Sequence, residues 1–413
     1  MSRPRPPDLP REYTLGFTLL WGGAILLLYG LLRRGELHPL FQALAQHTLD
    51  AALPLLLLAL HLPWASGAAR ALGGPARSQA VHLLGSLGLA LGGVMGVAIA
   101  TLAVGVVSPF LLLGIPLAAS LVAHREVPRL LESLREASCG VVAGCRTFAG
   151  ALWLAISMAA LAMTLTPAIS QDALHYHLAV PRLWLEAGEF TEIPGITYSR
   201  FPMNGEMLYL SALALRGEIA AKFFHWFMFL ACGFSVRCLA TRFVRPSAAN
   251  WAAVIFLSTP TVFRVASWAY VEMTLLLFLL LAWEVFLSQR ADGVDRSLFM
   301  GLLLGLGCGT KYTVLLPAAV LVATAIHLAP PRHRVWTGVK SMAGALLGGS
   351  FWYFRNWVEM GNPFYPFLYS IFGGKDWDSA RAAEALSALQ EWGGSGWQIP
   401  FTLTFYSSFS SVA

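Results

Sequence analysis

Apolar stretches long enough to cross a bilayer recur along the whole chain, near 13–32, 49–66, 80–104, 107–123, 147–167, 220–238, 248–265, 268–287, 298–310, 312–329 and 339–355. A hydrocarbon core needs about 17–25 apolar residues at the helical rise, and inside it every backbone N–H and C=O must be paired within the segment. The pattern therefore predicts an all-α polytopic membrane protein with about 11 transmembrane helices and a helical outer-face loop carrying the site. The second stretch is short and holds Pro54 and Pro63, and the ninth and tenth are divided only by Lys311.

The longest polar interruption, 168–219, opens with Ser-Gln-Asp-Ala-Leu-His-Tyr-His-Leu-Ala-Val-Pro from Ser170 to Pro181. If Ser170 caps a short helix that Pro181 ends, Asp172, His175 and Tyr176 fall at i, i+3 and i+4 on one face, looking along a membrane surface. The same acid would also complement the dipole of a first helical turn, so position alone leaves both roles open. His175 and His177, two apart, point to different faces of a helix and make a poor chelating pair.

Positive charge favours the cytoplasmic side of a membrane. Arg3, Arg5 and Arg11, Arg70 and Arg77, Arg125, Arg129 and Arg135, Arg237, Arg242 and Arg245, Arg290 and Arg296, and Arg332, Arg334 and Lys340 fall in alternate loops. Sixteen of the 28 basic residues thus share one side, leaving 168–219 and the tail beyond Asn356 on the other. The chain divides into N-terminal helices over 1–146, a core over 147–372, and an outer-face helix and loop over 373–413 that starts a further apolar stretch.

With 57% apolar and 12% charged residues and a mean hydropathy of +0.63, the chain lies far from the soluble average of about 25% charged. The net charge of +6 is spread through short loops with no basic arm or patch, which argues against a nucleic-acid partner. The five cysteines lie in or beside apolar stretches without paired spacing, so no disulfide is expected. The polar, proline-rich start runs into about twenty apolar residues without a cleavage site, as a retained anchor does.

Ionisable groups at membrane depth are costly and point to function by default. Glu272 stands about one turn into the stretch 268–287, where a first-turn acid is the plainer reading. Lys311 interrupts some thirty apolar residues, where snorkelling to the interface is the plainer reading. Arg355 and Asn356 precede Gly361-Asn362-Pro363-Phe364-Tyr365-Pro366, where an interfacial anchor would also account for the arginine. Gly301, Gly305 and Gly309 have the small-xxx-small spacing of close helix packing. Gly305 to Lys311 departs from a phosphate-binding loop, because Thr310 replaces the glycine before lysine and Tyr312 the magnesium-binding hydroxyl. His225, among phenylalanines, reads as a packed core residue.

Asp172 with Tyr176, followed by Tyr198-Ser-Arg-Phe-Pro-Met-Asn-Gly-Glu206-Met-Leu-Tyr209, resembles the first outer loop of the lipid-carrier-dependent glycosyltransferases of the GT-C fold class. Tyr270-Val-Glu-Met resembles their second acidic motif, 305–313 their Gly-x-x-x-x-Thr-Lys-Tyr-Thr element, and 352–366 their Trp-x-x-Arg-Asn…Gly-Asn-Pro-x-Tyr-Pro element. The chain departs from the class in having glutamate at 272, about five stretches before the acidic loop, and a very short carboxy-terminal region.

The resemblance implies an inverting glycosyltransferase of the plasma (inner) membrane. It would move a sugar from a polyprenyl-phosphate-linked donor to an acceptor at the outer face. In that reading Asp172 is the general base and Lys311 and Arg355 bind the donor phosphate. Glu272 orients the acceptor or holds a divalent cation, and His175, Tyr176, Tyr198 and Asn356 contact substrate. The sugar, the acceptor and any metal requirement do not follow from the sequence. A transporter or flippase of lipid-linked sugars would also need charges facing a cavity, but should show internal repeats, and none is seen. A non-catalytic membrane subunit is the remaining alternative.

Overall fold

A computed structural model describes residues 37–74, 78–384 and 387, and these are all helix and connection, about 80% helix with no strand. In chain order the helices are α1 (Leu37–Ala71), α2 (Gln79–Ala103), α3 (Pro109–Val122), α4 (Val127–Cys145), α5 (Phe148–Thr164), α6 (Ala179–Ala187), α7 (Asn204–Leu215) and α8 (Glu218–Ala240). There follow α9 (Pro246–Ser258), α10 (Pro260–Ala266), α11 (Glu272–Asp292), α12 (Ser297–Cys308), α13 (Leu315–Leu328), α14 (Arg334–Met360) and the short α15 (Tyr369–Phe372).

Four of these, α1 from Gln42 onward, α2, α8 and α11, are long and apolar enough to cross a membrane. A fifth candidate is the α3–α4 pair, bent by 70° at its break. Helices α5, α12 and the run Tyr312–Leu328 are apolar but shorter. This is the helix set of a membrane protein.

The apolar pattern places helices well and their limits less well. The stretch 49–66 is part of a single 35-residue helix that runs through both Pro54 and Pro63. Each proline removes one ladder donor without ending the helix, as happens where neighbouring helices cover the gap. The stretch 248–265 is instead split in two, because Pro246 and Pro260 each start a helix, where the missing N–H costs nothing. The first stretch, 13–32, lies outside the described residues.

Packing around α12 follows from glycine. A Cβ on Gly301 or Gly305 would sit 2.0 or 2.2 Å from the carbonyl oxygens of Ser341 and Ala345 on α14, and Gly344 and Gly348 make room in return. The two backbones are in contact, as the glycine spacing predicts. Asn204 locks a third helix to this pair: its amide donates to Leu306 O and Gly348 O at 3.1 Å, and Trp352 Nε1 donates to its Oδ1 at 2.8 Å. A side chain on Gly309 would collide with that amide. The first turn of α7 is thereby fixed against α12 and α14.

Cations and their partners gather where helices turn at one end. Arg296 pairs with Asp292 and donates to Gly73 O, Lys340 pairs with Asp295, and Arg290 donates to Leu328 O. Arg70 pairs with the buried Glu126, and Arg242 with Glu284. At the opposite helix ends stand Asp172, Glu272 and Lys311. Arg77 and the N-terminal arginines lie outside the described residues.

Candidate functional site

The segment after α5 does not form the capped α-turn its sequence suggests. Ala173–His177 is a π-helical turn, closed by Leu178 N–H donating to Ala173 O at 2.9 Å. Ser170 accepts from Leu174 N–H through its carbonyl at 3.1 Å. Pro181 does not end this turn but lies in the first turn of α6, where its missing N–H is tolerated. Single π turns are uncommon and cluster at functional sites. Here the wide turn leaves His175 exposed and carries Tyr176 and His177 inward.

Asp172 and Tyr176 do share a face. The Tyr176 hydroxyl donates to Asp172 Oδ2 at 3.4 Å, a long and weak contact. Burial, then the charges of Asp172, Glu206 and Glu272, push the Tyr176 phenol well above its usual range, so it remains a donor. Its ring stacks on Tyr198 at 4.6 Å and 16°, and His175 meets Tyr198 edge-on at 5.8 Å. Tyr198 is 41% exposed and forms the open edge of this aromatic group.

Glu272 begins α11. Its Oε1 accepts from Lys311 Nζ at 2.7 Å and its Oε2 from Val271 N–H at 3.1 Å. The two side chains are 33% and 29% exposed, so the pair lies at the edge of the bundle and not in its core. Burial acts to lower the Lys311 pKa, but Glu272 first, and then Glu206 and Asp172, raise it overall. Asp172 and Glu272 also both act on Tyr176 and on Tyr270. Three side chains thus feel both carboxylates, which sets residues 100 apart in sequence in one neighbourhood.

His225 serves this arrangement from below. Its Nε2 accepts from Met273 N–H at 3.0 Å, satisfying one of the donors left open in the first turn of α11. Tyr209 donates to Tyr270 O, tying the same turn to α7.

Arg355 lies elsewhere. Its Nε pairs with Glu359 at 3.0 Å, its Nη1 donates to Ser199 O at 3.4 Å, and the guanidinium lies 5.1 Å from the rings of both Trp184 and Phe190. Arg200 pairs with the same Glu359 and is 3.9 Å from Glu192. Two arginines and two glutamates therefore form a second charged group, in which the buried Arg355 Nη2 has no partner within the protein. Asn356 joins this group to the Lys311 turn, donating to Arg200 O at 2.6 Å and to the Tyr312 hydroxyl at 3.1 Å. A row of rings, Tyr176, Tyr198, Phe201 and Tyr312, runs from the Asp172 turn to the turn that carries Lys311.

No protein-family model, curated protein or solved structure matches this chain. Its function must be read from the site.

Four residues central to this geometry escaped the sequence reading. Glu206 and His177 form a fully buried pair, Nδ1 to Oε1 at 2.6 Å. Arg200 and Glu359 complete the arginine group. An acid inside the apolar helix α7 was a usable signal for Glu206; nothing in the sequence pairs Arg200 with Glu359, which are 159 residues apart. Among the described residues no group of three or more His, Cys, Asp or Glu side chains is gathered to hold a metal ion. A separate open cleft of about 630 Å³ lies between the 105–109 connection, α6 and the α7–α8 junction, and none of the predicted site residues lines it.

Proposed function

We propose that this protein transfers a sugar from a polyprenyl-phosphate-linked donor to an acceptor hydroxyl at the outer face of the plasma (inner) membrane. The observation that carries the reading is the pairing of two differently committed carboxylates. Glu272 is held by Lys311, whereas Asp172 is half-buried, its carboxylate makes a single weak phenol contact among the described residues, and it lies within the same electrostatic neighbourhood. A carboxylate left open beside a fixed ion pair suits a general base.

In this reading the acceptor hydroxyl gives its proton to Asp172 and its oxygen forms the new bond to the anomeric carbon. The bond from that carbon to the phosphate oxygen breaks on the opposite face, and polyprenyl phosphate leaves with the electron pair. Cations nearby stabilise the negative charge that develops on it. Lys311 is bound to Glu272 and also feels Asp172, while Arg355 is bound to Glu359 and would meet a different part of the donor. Tyr198 and His175 offer exposed ring surface to a sugar. The same reading takes the apolar stretches as about 11 crossings, with 168–219 on the outer face.

The test is release of polyprenyl phosphate from a labelled lipid-linked sugar by the purified protein. Asp172→Asn keeps the shape and removes the basicity, so turnover should fall about a hundred- to ten-thousand-fold with donor binding retained. Wild-type rates in that variant would refute the base, and absence of release by the wild type from every lipid-linked sugar offered would refute the enzyme.

A further inference from the structure

His177 and Glu206 are the most buried ionisable pair at this end of the molecule, 1% and 2% exposed, and the chemistry above does not use them. Their contact of 2.6 Å is slightly shorter than the usual range for a charge-assisted N–H···O bond. The other two polar atoms of the pair, His177 Nε2 and Glu206 Oε2, are buried without a partner among the described residues. A lone buried pair with half of its capacity unused gives little net stability, because desolvation offsets much of the attraction. A leucine and a phenylalanine would pack at least as well, so a pure packing role does not account for it.

Its neighbours indicate what it does. The His177 ring lies 4.0 Å from the ring of Tyr176, whose hydroxyl makes the weak contact with Asp172, and 5.3 Å from the ring of Tyr270, two residues before Glu272. Glu206 is in the first turn of α7, the turn that Asn204 pins to α12 and α14. The hydrogen bond to Glu206 thus fixes the imidazole against the rigid part of the bundle, and the imidazole in turn packs against both arms that carry carboxylates.

We propose that His177 and Glu206 are positioning residues that set the placement of Asp172 relative to Glu272, acting through Tyr176 and Tyr270 without touching substrate. The proposal rests on the transfer reading for its kinetic consequence, but its structural core can be tested apart from it.

His177→Phe keeps a ring and loses the hydrogen bond to Glu206, so Asp172 should shift. Turnover should fall about a hundredfold, the scale for moving a reacting group by about an ångström, with the KM for donor little changed. His177→Asn, which can still present an N–H to Glu206, should recover most of that loss. In parallel, fluorotyrosine placed at Tyr176 should change its fluorine resonance in His177→Phe and return toward wild type in His177→Asn. Should His177→Phe not fold, Glu206→Gln carries the same two measurements. A wild-type kcat or an unmoved resonance in the variant that breaks the pair would overturn the proposal. If the wild type transfers no sugar yet the resonance follows this order, the positioning role stands and the transfer reading falls.

Discussion

Lys311 and Glu272 offer the sharpest test, because the sequence assigned them to different partners and the structure joins them. Lys311→Met removes the ammonium and leaves Glu272 with one hydrogen bond, from Val271 N–H. For exposed pairs such a loss is worth about 0–1 kcal/mol, and for fully buried ones about 3–5 kcal/mol. With the side chains 29% and 33% exposed, the expected cost lies between, about 2 kcal/mol. Glu272→Gln should cost somewhat less, since its amide oxygen still accepts from Lys311 while the compensating charge is lost. The double variant should then cost about 1–2 kcal/mol less than the sum of the two, because neither charge is left behind. Unfolding in mixed micelles, followed by tryptophan fluorescence, measures all four proteins. Strictly additive losses would mean that the pair is not coupled and that the 2.7 Å contact contributes nothing. The cycle also separates two roles for the lysine. If it serves only to neutralise Glu272, the double variant binds donor as the wild type does; if it meets the phosphate, binding stays weak although the fold is restored.

Gly305→Val would push a side chain into Ala345 O on α14, 2.2 Å from the ideal Cβ, and strain the Asn204 bonds beside it; a loss of about 3 kcal/mol or more in the same unfolding assay is expected, and a neutral outcome would refute direct backbone contact. Cysteines placed at Glu189 and Ser379, both exposed, should react together with impermeant maleimide in intact cells lacking Cys139; labelling of only one would break the alternation drawn from the arginines. Arg355→Lys should fail to replace the arginine, because an ammonium cannot pair with Glu359, reach Ser199 O and cover the rings of Trp184 and Phe190 as the guanidinium does; equal stability and donor affinity in that variant would show that the planar cation is unimportant.

The helical class was legible because apolar run length is a strong signal, whereas helix limits were not, since proline acts oppositely at Pro54 and Pro260 according to what surrounds it. Glycine packing at Gly301 and Gly305 was legible from spacing alone, yet the matching glycines of α14 mattered only once the partner helix was known. Of the site, the sequence offered Asp172 and Glu272 as separate candidates, and what relates them in the structure is that both act on Tyr176, Tyr270 and Lys311. The proposed sharing of one anion by Lys311 and Arg355 was drawn from their common distance to the membrane face, and the structure commits each cation to a different carboxylate. Depth in a membrane fixes one coordinate; which helices face each other fixes the other two, and the sequence carries little of that.

The separation of the two charged groups has a physical sense. A phosphate approaching Lys311 must compete with Glu272 and bring negative charge toward Asp172 and Glu206, whereas Arg355 and Arg200 share Glu359. On the proposed reading an anion therefore meets more opposing charge at Lys311 than at the arginine pair. On that reading a donor held mainly by the arginines leaves the Asp172 carboxylate open to the acceptor hydroxyl.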